Sequence, residues 1–211
     1  FSGPDAALGS TFCLPGALTA AAEINANGGI MGKRLVITHT DSRGDPADAV
    51  PGANQLIATH PPSAILGPTS DTALATIPIF NQSKILMMSP AGNPQLDTKF
   101  YQYLYRPVPP DTMQGIGMAI AGLKKGYTRA ALLFGANPGS QNMVPTLVQA
   151  YKSHGGKIVF NDQLTLDQPS YRSDLTKMLA QKPQVIFTSS DPQTAATVFS
   201  ELKQINGLKI P

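Results

Sequence analysis

Short apolar runs alternate with longer stretches of helical periodicity along almost the whole chain. The clearest example is 64–94, AILGPTSDTALATIPIFNQSKILMMSPAGNP. Ala64, Ile65 and Leu66 read as a short buried strand that stops at Gly67-Pro68. Thr69, Ser70, Asp71 and Thr72 then place three hydroxyls and a carboxylate where a helix begins. Residues 85–88 read as the next strand, stopped at Ser89-Pro90, and Ala91, Gly92 and Asn93 form a small polar turn after it.

The same alternation extends in both directions. Residues 1–8 read as a loop and 12–27 as a helix, with Ala17, Ala20, Ala21 and Ile24 near a 3.6-residue period and Asn27-Gly28-Gly29 as its stop. Leu35, Val36 and Ile37 read as a strand. Asp45-Pro46 is an N-cap followed by proline at the first helical position, and that helix runs to about Thr59 with a kink expected at Pro51. Residues 103–106 read as a strand leading into Pro107-Val108-Pro109-Pro110, a stiff connector. Beyond it, helices are expected at 111–125 (Asp111 as N-cap), 141–153, 170–181 and 192–205. Strands are expected at 130–134, 158–160 and 185–188, and 208–211 reads as the start of another. Strands alternating with helices predict an α/β fold with parallel sheets flanked by helices. The proline connector divides it into a first lobe, 1–105, and a second, 106–211.

Composition narrows the function. The 211 residues carry a net charge of +3, spread without a basic block, which gives no footprint for nucleic acid. No run approaches the roughly 18 apolar residues of a membrane span. Cys13 is the sole cysteine, so no internal disulfide forms and a structural zinc site is disfavoured. Phe12, Leu14 and Ala17 around it predict a buried, inert thiol. No cofactor motif is present.

The site follows from the fold. In a parallel α/β sheet the loops after the strands gather on one edge, and helix N-termini there present free N–H groups that suit anions. The loops at 67–72 and 89–93 therefore form a candidate site for a carboxylate-bearing small molecule. A plainer reading has Ser70 or Asp71 as an N-cap and Gly92-Asn93 as an ordinary turn. Enzyme chemistry finds less support. His39, His60 and His154 lie far apart, no Gly-x-Ser-x-Gly elbow or GxGxxG occurs, and Asp41, Asp45, Asp71 and Asp191 read as caps and turn residues.

Several segments together resemble a known family. They are Gly16-Ala17, Glu23-Ile24-Asn25, Gly28-Gly29-Ile30-Met31-Gly32, Asp41, Asp45-Pro46, Gly67-Pro68, Ser89-Pro90-Ala91, Ser173-Asp174-Leu175 and Gly207-Leu208-Lys209. In this order they resemble the type I periplasmic solute-binding proteins of ABC transporters, on the branch of the leucine/isoleucine/valine-binding protein. The resemblance implies a two-lobe fold, here truncated at both ends, whose lobes close on a ligand by hinge motion. It implies a small carboxylate-bearing ligand, a membrane permease as partner, and a periplasmic or extracytoplasmic location. By the same resemblance Ser70, Asp71 and Thr72 hold the ligand carboxylate, and Ala91, Gly92 and Asn93 form the second gripping loop. Leu8 and the loop containing Gly139 stand where the family has tyrosines, and Ser190 and Asp191 face the ligand from the second lobe. Both gripping loops are one residue shorter than in the amino-acid binders. The same fold also serves cytoplasmic sensors and receptor ectodomains, which the fold alone does not separate.

Overall fold

A computed structural model describes residues 2, 3, 6, 8–207, 209 and 210, with Leu8 and Phe12 by their backbone alone. A π-helical turn, Leu8–Cys13, runs into helix α1 (Leu14–Ala26). Helix α2 (Pro46–Thr59) follows, then strand β1 (Ala64–Leu66), helix α3 (Ser70–Gln82) and strand β2 (Leu86–Met88). A 3-10 turn, Pro94–Leu96, leads to β3 (Leu104–Tyr105). These three strands form one parallel sheet in the order β1-β2-β3.

The second half contains α4 (Asp111–Lys124), β4 (Arg129–Gly135), α5 (Pro138–Gln141), α6 (Val144–Ser153) and β5 (Lys157–Leu164). It ends with α7 (Arg172–Ala180), β6 (Val185–Ser189) and α8 (Pro192–Asn206). Its strands form a second parallel sheet, β5-β4-β6. Parallel pairing follows from the helices between strands, which carry the chain back before each new strand.

The second sheet is covered on both faces. Because successive strand residues point to opposite faces, Ala130, Leu132 and Phe134 pack with Leu147, Tyr151 and Phe187. Ala131 and Leu133 pack on the other face with Leu175, Met178, Val198 and Leu202. β4 is therefore apolar and buried almost throughout. The first sheet is covered on one face, where Met87 packs with Ala53, Ala73, Ile77 and Phe80. On its other face Leu66, Met88 and Tyr105 stand in one register row, and all three are exposed.

Several expectations are corrected. Residues 35–37 pair with no strand among the described residues. The Asn25 side chain instead takes both backbone groups of Leu35, accepting from its N–H at 2.7 Å and donating to its carbonyl at 2.8 Å. The helix expected over 141–153 is two helices, because Pro145 lacks an N–H for the Gln141 carbonyl and its ring crowds that carbonyl. Asp111 is the first helical residue of α4 rather than its cap; Pro110 holds the cap position. Helix α7 starts at Arg172, not Ser170, because the Tyr171 N–H donates to Glu201 Oε2 at 2.7 Å. Cys13 is exposed, since α1 buries only Ala21 among the described residues and offers no apolar cover. The expected strand at 208–211 falls partly outside the described residues; Lys209 and Ile210 are in no strand.

Candidate functional site

The two loops after β1 and β2 are joined side by side. Ser89 Oγ donates to the Pro68 carbonyl at 2.5 Å and accepts from the Ala91 N–H at 3.1 Å. One turn on, the Gly92 N–H donates to Ser70 Oγ at 3.0 Å. Ser70 is thus neither a free cap nor an idle surface hydroxyl. Helix α3 starts from Thr69 with no side-chain cap, and Ser70, its first residue, turns toward the neighbouring loop. One lone pair of Oγ is taken by Gly92 while the hydroxyl proton stays available to donate.

Gly92 is fixed from the other side as well. Its carbonyl accepts from the Asp111 N–H at 2.8 Å. A Cβ at this position would lie 2.0 Å from Asp111 Oδ1, so only glycine lets the loop approach α4. Asn93 is buried, and its Oδ1 accepts from the Gln95 N–H at 2.9 Å, capping the short 3-10 turn. Ala91 is fully buried. Thr72 is buried too, its carbonyl accepting from Thr76 Oγ1 at 2.9 Å.

Asp71 links the two halves of the chain. Its Oδ1 accepts from the Gly139 N–H at 2.9 Å, across 68 residues of sequence. It too leaves α3 uncapped and reaches the start of α5. Asp111 supports the same junction: Asn142 Nδ2 donates to its Oδ2 at 3.0 Å and Gln114 Nε2 to its Oδ1 at 3.3 Å. Burial pushes the Asp111 carboxyl above its ordinary 3.8; the nearby Asp97 and Asp71 charges add to this, while Asn142 and Arg106 oppose it.

The strand ends of the second sheet meet at the same edge. A Cβ on Gly135, the last residue of β4, would lie 2.6 Å from Ser190 Oγ, 2.9 Å from Asn137 Oδ1 and 3.0 Å from Leu166 Cδ2. Ser190 Oγ donates to Asp191 Oδ2 at 3.1 Å. Asp191 Oδ1 accepts from the Gln193 and Thr194 N–H groups, both at 3.0 Å, so Asp191 caps α8. Burial alone would raise its carboxyl, but the bonds from Thr194, Ser190 and Gln193 outweigh it and hold the group below its ordinary value.

Between the two edges lies an open pocket of about 260 Å3. Residues 43–46 and Asp71 line one side; Asn137, Pro138 and Leu166 line the other. Of the residues singled out from sequence, the structure brings together Ser70, Asp71, Gly92 and Gly139. Ala91, Thr72 and Asn93 lie behind them as buried framework, and Ser190 and Asp191 flank the end of β4. The Leu8 side chain lies outside the described residues. Arg43, Asn137, Leu166 and Asp111 were not singled out as ligand residues. The signals for three of them were faint: a glycine after Arg43, a proline after Asn137, and a proline run before Asp111.

Two parallel sheets, each flanked by helices, whose strand-end loops meet over a small cavity, define an α/β ligand-binding architecture. The family's sequence profile matches residues 1–209, and the chain belongs to the periplasmic binding protein family. It is 30% identical over 172 residues to the leucine-specific-binding protein of Salmonella typhimurium, covering 77% of this chain and 45% of that one. To the Leu/Ile/Val-binding protein of Escherichia coli it is 28% identical over 179 residues, covering 84% and 48%. The chain therefore spans about half the length of these relatives. Among solved structures, the branched-chain amino acid transporter substrate-binding protein of Streptococcus pneumoniae, in complex with isoleucine, matches with TM-score 0.87 at 25% identity. That match covers all of this chain and 60% of the other. A solute-binding protein from R. palustris in complex with benzoate matches with TM-score 0.85 at 20% identity, covering 100% and 58%.

Proposed function

We propose that this chain belongs to the solute-binding component of an ABC importer, working outside the cytoplasm and delivering its ligand to a membrane permease. Residues 1–105 and 106–211 act as two lobes. They close on a small carboxylate-bearing molecule, an amino acid or a related organic acid. The observation that carries this reading is the Asp71–Gly139 hydrogen bond beside the inter-sheet cavity. It brings the strand-end loops of both sheets to one place, where a ligand touching both would favour closure.

Ser70 offers its hydroxyl proton to the ligand carboxylate from the start of α3, where backbone N–H groups and the helix dipole favour an anion. Ala91, Gly92 and Asn93 hold the adjoining loop in place. The relatives' names supply the first ligands to test: leucine, isoleucine and valine, with benzoate as the aromatic acid.

The test is isothermal titration of the full-length protein with these four compounds. At least one is expected to bind. Ser70→Ala is expected to weaken that binding about 10- to 150-fold, the loss of one hydrogen bond to a charged group. If Ser70→Ala and Asn93→Ala both bind as tightly as the parent, the carboxylate does not sit at these loops.

A further inference from the structure

We propose that the Asp71–Gly139 hydrogen bond is a latch that holds the two lobes together through protein contacts alone, so that closure does not wait for a ligand. This rests on the reading above, in which residues 1–105 and 106–211 close as two lobes. Both partners belong to the chain. Asp71 is the second residue of α3 and Gly139 the second of α5, and Asp71 Oδ1 accepts from the Gly139 N–H at 2.9 Å. Each group is available for the other. Helix α3 starts from Thr69 with no side-chain cap, so the Asp71 carboxylate is not engaged as one. An N–H in the first turn of a helix has no acceptor within that helix. Turned toward Gly139, the Asp71 charge is engaged by the second lobe rather than left beside the carboxylate proposed at Ser70.

The connector between the lobes is stiff, which lets one bond elsewhere matter. Pro107, Pro109 and Pro110 fix three of its four φ angles. Asp97 ties its two ends together. Its Oδ1 accepts from Arg106 Nη2 at 2.7 Å before the prolines, and its Oδ2 from Thr112 Oγ1 at 3.4 Å after them. The Asp111 N–H adds its bond to the Gly92 carbonyl at 2.8 Å. Beyond the connector the lobes meet where Asp71 faces Asn137 and Pro138 across the open pocket. One effect opposes closure: the Asp71 charge is felt at Asp111 and helps to raise its carboxyl. The bond to Gly139 has to outweigh that repulsion. A ligand that needs the closed form has its apparent affinity reduced by the share of protein that is open. The latch therefore acts on every such ligand by one common factor.

The test measures the distance between the lobes in the full-length protein with no ligand added. Spin labels are placed at Gln55→Cys in α2 and Lys152→Cys in α6, both exposed, after the exposed Cys13 is changed to serine. The parent is expected to show mainly the short distance. Asp71→Ala should lower the ratio of closed to open protein about 10-fold, the low end for a hydrogen bond to a charged group, because Asp71 is only half-buried. Removing the charge also relieves the repulsion of Asp111 and by itself favours closure, so an opening marks the lost bond. Asp71→Asn keeps an oxygen for the Gly139 N–H and should stay nearer to the parent. Gly139→Ala keeps the N–H, and its Cβ would lie 3.5 Å or farther from its neighbours, so it should match the parent. Thermal unfolding checks that each variant is folded. L-leucine and benzoate are then titrated into the same proteins. Asp71→Ala should weaken whichever of them binds by the factor by which the closed share falls. The inference is overturned if the parent is open, or if Asp71→Ala keeps the parent's distances. Weaker binding with unchanged distances would make Asp71 a ligand contact and not a latch. Failure of both compounds to bind, with the distances changed as stated, removes the ligand reading above and leaves the latch standing.

Discussion

A serine hydroxyl has two lone pairs and one proton, and Ser70 divides them between loop and solvent-facing edge. Accepting from the Gly92 N–H makes it structural. Ser70→Ala leaves the Gly92 N–H without its acceptor and is expected to lower stability by about 0.5–1.5 kcal/mol, read as a lower midpoint in urea with an unchanged slope. Asp111 makes a prediction in pH. Its carboxyl is raised above 3.8 mainly by burial, so the fold favours the protonated form. That contribution is complete below 3.8 and is lost as pH rises through the raised value. Asp111→Asn, which stays neutral and still offers an oxygen to Asn142, should unfold at a higher temperature than the parent at pH 7. The gap should close in acid, and a variant less stable than the parent at every pH would show that the charge itself is needed at the junction.

At the scale of elements, caps and ties decide where helices start. Glu201 of α8 is nearly buried and holds the entry to α7, accepting from Ser170 Oγ and the Tyr171 N–H, both at 2.7 Å. Burial would raise its carboxyl, but these two bonds and the neighbouring Arg172 hold it below the ordinary 4.5. A depressed carboxyl stabilises above its unfolded value and loses that contribution as pH falls through the folded one. Glu201→Gln is therefore expected to cost about 1–3 kcal/mol at pH 7, with the difference from the parent shrinking below pH 4.5. Unfolding curves at pH 7 and pH 3.5 would show it; equal losses at both would mean that shape, not charge, makes the tie. Helix α1 behaves differently. It buries Ala21 alone among the described residues, so Cys13 should react readily with a thiol reagent in the native protein. Protection of that thiol until global unfolding would show that the start of the chain is covered in solution.

For the whole molecule, the two sheets differ in cover. The second is sandwiched by helices on both faces, while Leu66, Met88 and Tyr105 leave an apolar row open across the first. The 211-residue chain by itself is expected to bind a hydrophobic dye and to self-associate. Leu66→Lys with Met88→Lys should reduce both, measured by dye fluorescence and light scattering. A monodisperse parent with no dye signal would mean that this face finds cover within the chain.

The strand–helix alternation was legible from the chain because its signals are local. Asp45-Pro46 and Asp191-Pro192 start helices with bonds two or three residues away, and Gly207 ends α8 in the left-handed conformation at φ 68°. The apolar runs of β1, β2, β4 and β6 carried enough hydrophobicity to be read at nearly their true bounds, and with them the two loops after β1 and β2. Residues 35–37 show the limit: an apolar triplet becomes a strand only with a partner. Ser70 and Asp71 show it more sharply. By composition they are a helix cap; in the fold one meets Gly92, 22 residues away, and the other Gly139, 68 residues away. The raised carboxyl of Asp111 likewise depends on what surrounds it in space. Local hydrogen bonds and hydrophobic period are set within a few residues of sequence, whereas burial, charge environment and pairing across the chain exist only once the two sheets are brought together.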